Sequence, residues 1–308
     1  MIIQTGMRTD IPAFYSNWFL RRIKAGFVLV RNPYDESSVT KYSLSPKVVD
    51  VIAFCTKNPA PMLPHMDIIK EYGQYWFVTI TPYGKEIEPN VPDKEKVIED
   101  FKKLSGIVGV NSIGWRYDPV FITNKYFVEF HKKAFENMAR KLSGYTNVCV
   151  ISFIDLYKKV VRNFPQARSV ENDEQMELAR FFVSVGEKYG IKIKSCAEGT
   201  QLAPLGVDAS GCMTKQSYEL ALGKKLSVPH KKSPRMECNC TLGNDIGAYN
   251  TCGHLCKYCY ANYDADIVKR NMKLHNPLSP FLLGNSQKGD KIHEAEQVSW
   301  IDEQLTFI

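Results

Sequence analysis

The chain has 308 residues, 44% hydrophobic and 24% charged, which excludes a disordered protein and allows one large domain with a sizeable core. Its net charge of +7 is spread along the sequence, so nucleic acid is permitted as a partner but not indicated. No apolar run approaches the ~20 residues that span a bilayer, and Arg8 and Asp10 interrupt the N-terminal stretch before a leader pattern can form. A cytoplasmic protein without a membrane partner is expected. In that compartment the nine cysteines point to metal or redox chemistry rather than to disulfides.

In chain order, Thr9 or Asp10 caps a predicted helix that begins at Pro12 and runs to Ala25. FVLV (27–30) reads as a strand ended by Asn32-Pro33. The pattern then repeats: apolar runs at 48–59, 75–84, 111–120, 147–157 and 191–199 alternate with helical segments, the first of them PHMDIIKEYG. Strands apolar throughout are buried on both faces, and with crossover helices they form a parallel sheet. The expected class is α/β, a β/α barrel (the TIM-type architecture) or an open doubly wound sheet.

Residues 1–199 carry these repeats. A loop-rich segment follows at 200–244, then DIGAYN and a cysteine loop within 245–275, then an exposed extension at 276–308. Polar residues fall at the strand ends: Lys57, Thr81, Arg116, Asp118, Ser152, Asp155, Cys196 and Glu198. Singly each is explained as a turn or cap, but strand after strand they outline the rim on which α/β proteins bind ligands. Arg116 and Asp118 can bind a ligand carboxylate or ribose, or simply pair with each other. Trp115, Tyr83, Tyr117 and Tyr157 can stack on a base or pack in the core.

Cys252, Cys256 and Cys259 give C-x3-C-x2-C. A zinc site would need His254 as its fourth ligand, crowded into the arc between two of the cysteines. An iron–sulfur cube takes three thiolates from one loop and leaves one iron open. A second group, Cys196, Cys212, Cys238 and Cys240, has the four thiols that close a site, either an auxiliary [4Fe-4S] cluster or a structural zinc. The C-x-C of Cys238 and Cys240 leans toward a cluster, whereas Cys55 and Cys149, within apolar strands, read as core.

The stretch CGHLCKYCYAN resembles the radical S-adenosylmethionine signature, C-x3-C-x-aromatic-C. The resemblance implies a [4Fe-4S] cluster on Cys252, Cys256 and Cys259, whose open iron chelates S-adenosylmethionine beside Tyr258. It also implies reductive cleavage to a 5′-deoxyadenosyl radical that abstracts a substrate hydrogen, with flavodoxin or ferredoxin as electron donor. Lys57, Arg116, Asp118 and Ser152 are then expected to contact the cofactor, Lys57 as a strand-end lysine does in the spore photoproduct lyase group.

RNPYD, TKNPAPML, WRYDP, SFIDLY, CNC and DIGAYNTCGHLCKYCYAN together resemble a family catalogued as domain of unknown function 1848, whose substrate is not established. In the radical superfamily the cysteine loop usually follows the first barrel strand. Its late position here implies a circularly permuted barrel or partial barrel, with DIGAYN closing beside FVLV. Two other functions fit the sequence: a non-enzymatic iron–sulfur or zinc-stabilised binding module, and a DNA lesion repair enzyme of the photoproduct-lyase type.

Overall fold

A computed structural model describes residues 1–229 and 238–302. Parts of the basic cluster at 224–232, of MECNCTLGND and of the C-terminal tail therefore lie outside the described residues.

The chain opens with β1 (Ile2–Gln4), a buried strand that the sequence did not announce because three residues are too few for a pattern. The predicted first helix is two: α1 (Ile11–Phe14), capped by Asp10, and α2 (Ser16–Ala25), separated at Tyr15. FVLV belongs to β2 (Phe27–Asn32), which turns at Pro33 and pairs antiparallel with β3 (Asp35–Ser43). It is a hairpin strand and not part of the main sheet, as its following turn and the alternating ESSVTKYS allow.

Next come β4 (Val51–Thr56) and β5 (Gly73–Thr79). The helix predicted between them is a 3₁₀ segment, Leu63–Ile69. The segment is only seven residues long and β5 opens at Gly73, and short helical pieces of this kind take the tighter 3₁₀ form. The remaining elements alternate as expected: α3 (Lys94–Val108), β6 (Ile113–Val120), α4 (Val128–Leu142), β7 (Val148–Phe153), α5 (Lys158–Asn163), α6 (Asn172–Tyr189) and β8 (Lys192–Ser195). After them lie α7 (Lys215–Leu222), β9 (Asn244–Asp245), α8 (Ala265–Lys273) and β10 (Lys291–Glu294).

One parallel seven-stranded sheet carries the fold, ordered β9-β1-β4-β5-β6-β7-β8. Read from that edge, the strands follow chain order except that the last one, β9, stands first. Of DIGAYN only Asp245 lies in the sheet, as the second residue of β9, and its neighbour is β1, with Ile3 opposite Asn244 and Gln4 opposite Asp245. The expected pairing with FVLV does not occur. Nor does any pairing of β8 with β9 close the sheet into a barrel among the described residues.

Both faces of the central strands are buried, as parallel strands require. Phe54 stacks on Trp76 with ring centroids 3.8 Å apart, and Phe135 stacks on Phe182 at 4.1 Å, joining α4 to α6. Much of the C-terminal segment is exposed, as expected, but it is also tied to the fold. There β10 pairs parallel with β3, and the backbone N–H of the buried Trp300 donates to Asp50 at 2.7 Å. No helix among the described residues is long and apolar enough to cross a membrane.

Candidate functional site

Because β9 runs parallel to β1, the chain leaves both strands at the same end of the sheet. The segment after β1 and the cysteine loop after β9 meet there. Asp10 is the junction: one oxygen accepts from the Ala13 N–H at 3.0 Å, and the other from the Lys57 N–H at 2.8 Å. That second oxygen also lies 2.9 Å from Nε2 of the buried His254. His254, whose ring edge also meets Phe14 at 4.7 Å, is thus engaged by the protein and pins the loop.

The loop itself is tightly built. Asn250 and Leu255 have φ of 57°, the left-handed region, and reverse the chain on either side of Cys252. Gly253 approaches Phe14 so closely that a Cβ would fall 2.7 Å from its ring. Asn90 Nδ2 donates to the Gly253 carbonyl at 2.7 Å, the Lys257 N–H to the Ile87 carbonyl at 3.0 Å, and Asn262 Nδ2 to the Cys252 carbonyl at 2.8 Å. Ile87 and Asn90 belong to the segment after β5, so the loop is docked on residues that precede it by more than half the chain.

Burial pushes the thiols of Cys252, Cys256 and Cys259 above the ordinary range, Cys256 to about 12 against the opposing charge of Lys57. Cys252 and Cys256 each feel Cys259, so the three share one electrostatic environment. Such thiols ionise when a metal supplies the compensating charge. Among the described residues, no group of three or more His, Cys, Asp or Glu side chains stands ready-made to hold a metal ion.

Beside Cys256 lies a group that the sequence did not single out. Glu88 is 1% exposed and accepts from Lys57 Nζ at 2.8 Å and Thr81 Oγ1 at 2.7 Å, and also from Lys94 Nζ and the Tyr258 hydroxyl. Burial alone would raise its pKa, but Lys57 and Lys94 outweigh that and hold the carboxyl down to about 2. Burial likewise opposes the charge on Lys57, yet Glu88 and Cys256 raise its pKa above the ordinary value. The Lys57 ammonium stands 5.6 Å from the Tyr258 ring centroid, and that ring closes an apolar cluster with Tyr83 and Phe121.

A family model described as Domain of unknown function (DUF1848) matches residues 2–261. The chain belongs to this family. No curated protein matches it. The DUF1848 match spans the seven strands and the cysteine loop together, so the rim geometry lies within the family's own extent.

Further along the rim of this DUF1848 chain, Arg116 and Asp118 pair with each other: Arg116 Nε donates to Asp118 at 2.9 Å, and Nη2 to the same oxygen. Ser152 donates to the other Asp118 oxygen. Arg116 also directs Nη1 at Cys212 Sγ, 3.6 Å away. Glu198 accepts the Phe153 N–H at 2.9 Å, and burial, with Asp118 and Asp155 nearby, raises its pKa to about 8. Trp115, Tyr83 and Tyr117 are core residues rather than stacking surfaces, whereas Tyr157 is exposed.

The structure thus brings Lys57, Tyr258 and the three loop cysteines into one neighbourhood. Arg116, linked to Asp118 and through it to Ser152, reaches the second cysteine group, while the Asp118 carboxylate also acts on Lys57.

Proposed function

We propose that this DUF1848 protein is a radical S-adenosylmethionine enzyme in which Cys252, Cys256 and Cys259 hold a [4Fe-4S] cluster. One observation supports this most. In the loop after β9 the other candidate ligand, His254, has both ring nitrogens engaged, Nε2 by Asp10 at 2.9 Å and Nδ1 facing the Asn90 carbonyl at 3.4 Å, and the Tyr258 hydroxyl is held by Glu88. The loop offers three thiols and no fourth group. A single tetrahedral ion is poorly served by that set, whereas a cube accepts one thiolate on each of three irons and keeps one iron open. The donor set therefore fits the cluster.

The cluster, when bound, supplies the electron that cleaves S-adenosylmethionine. The chain's own residues bind and orient. Lys57 is the cation beside Cys256 and is assigned to the cofactor's carboxylate. Glu88 holds that lysine, and Lys94, Thr81 and Tyr258 keep Glu88 satisfied when Lys57 turns to a new partner. Arg116, Asp118 and Ser152 complete the proposed cofactor rim, with their mutual pairing opened or shared on binding. The Tyr83–Phe121–Tyr258 cluster excludes water from one side.

The strand order supports a permuted partial barrel of the radical S-adenosylmethionine type, since β9 takes the first position across the sheet. The hydrogen donor is an unidentified substrate, and a flavodoxin or ferredoxin is the proposed reductant.

Anaerobic reconstitution tests the cluster. About four irons per chain, lost when Cys256 or Cys259 is replaced by serine, are expected. Zinc alone at these cysteines would favour a metal-stabilised binding module.

A further inference from the structure

Four other cysteines converge from three segments of chain. Cys196 follows β8, Cys212 lies in the loop before α7, and Cys238 and Cys240 lie in the stretch leading to β9. Cys212 Sγ is 3.7 Å from Cys196 Sγ and 3.3 Å from Cys240 Sγ, and Cys238 hydrogen-bonds Cys240. None is in a disulfide.

The backbone is arranged to permit this. Gly211 has φ of 104°, which L side chains rarely adopt, and a Cβ there would lie 3.0 Å from the Asn239 carbonyl carbon, so glycine suits the close contact of the two cysteine-bearing loops. The Thr241 N–H donates to the Met213 carbonyl at 2.7 Å and seals the contact. Two donors also point at sulfur: the Met213 N–H at Cys240 Sγ, 3.4 Å, and the Arg116 guanidinium at Cys212 Sγ, 3.6 Å. Donors of this kind favour thiolate over thiol, and thiolate is the form that binds metal.

We propose that Cys196, Cys212, Cys238 and Cys240 close around one zinc ion, forming a second site independent of the loop at Cys252–Cys259. The spacing favours an ion over a cluster. Ligands about 2.3 Å from a tetrahedral zinc stand about 3.8 Å from one another, whereas a cube sets each thiolate on a different iron. Of the two observed separations, 3.7 Å matches the single-ion value and 3.3 Å is shorter still, and this close grouping reverses the lean toward a cluster drawn from the C-x-C spacing. Four thiolates leave no open position, so the ion is structural. It ties the long segment between β8 and β9 to the end of the sheet.

The test uses the full chain with Cys252, Cys256 and Cys259 all replaced by alanine, so that its outcome is independent of the radical-enzyme proposal. Purified with its thiols reduced, this variant is expected to hold about one zinc per chain, with retention falling about tenfold or more on adding Cys212→Ser or Cys240→Ser. Cobalt(II) titrated into the metal-stripped variant, and into the metal-stripped unaltered chain, gives a second readout. Thiolate-to-cobalt absorption should appear in both and saturate at about one equivalent in the variant. The proposal is overturned by no metal uptake in the triple variant, by zinc retention unmoved in both serine variants, or by iron and sulfide in place of zinc.

Discussion

The imidazole of His254 lies 2.9 Å from the carboxylate of Asp10, so residues from the two ends of the chain meet on one rim. The contact joins the loop after β1 to the loop after β9, and Asp10 also caps α1 and takes the Lys57 N–H. Removing the carboxylate leaves a buried histidine, a helix N-terminus and a strand-end amide without their acceptor. Asp10→Ala should destabilise the protein by about 2–4 kcal/mol, summing a lost cap and a lost buried hydrogen bond. Urea unfolding checks this, and a change under 1 kcal/mol would contradict the role given to Asp10.

Glu88, itself almost closed to water, is shared by two partly buried lysines. Glu88→Ala leaves Lys57 and Lys94 as partly buried cations without their shared partner and should cost about 3 kcal/mol. Replacing Lys57 by methionine in the same chain should recover part of that loss, because one unpaired charge is then gone. A double-mutant cycle in denaturant reads the coupling, and strictly additive losses would argue against the pair.

Gly253 is required by close approach, since a methyl group there meets the Phe14 ring. Gly253→Ala should cost about 1–3 kcal/mol by overpacking. The same change should loosen the His254–Asp10 contact, visible in the His254 imidazole resonances by NMR, and in the Phe14→Ala background its cost should shrink.

His131 is buried between the Tyr117 hydroxyl at 2.8 Å and the Phe121 carbonyl at 2.9 Å, and burial lowers its pKa from 6.5 to about 4. The unfolded chain therefore takes up the proton first as pH falls. This contribution to stability is complete above pH 6.5, declines between 6.5 and 4, and is constant below, a loss of about 3 kcal/mol. Unfolding curves across that window should show a steeper decline for the natural chain than for His131→Gln.

Much of the fold is legible in the sequence, because continuous apolar strands alternating with amphipathic helices are a strong pattern. The cysteine loop is equally plain, since its spacing is local. What the sequence conceals depends on long-range pairing. FVLV has a strand's composition, but its hairpin partner takes it out of the sheet, while the short β1 takes the place beside DIGAYN. Glu88 is hidden for a related reason: it lies in an irregular segment after β5 and becomes a buried carboxylate only when Lys57, Lys94 and Tyr258 arrive from elsewhere. Its one local signal is Thr81-x6-Glu88, a hydroxyl and a carboxylate just past a strand end.

The most direct test of the central claim is reductive cleavage of S-adenosylmethionine by the anaerobically reconstituted protein. With dithionite or reduced flavodoxin, 5′-deoxyadenosine should accumulate. It should vanish in the Cys252→Ala, Cys256→Ala and Cys259→Ala variants, and Lys57→Met should require more S-adenosylmethionine for the same rate while retaining its iron. A reconstituted protein that holds its iron at these cysteines yet produces no 5′-deoxyadenosine above the level of the cysteine variants would contradict the account.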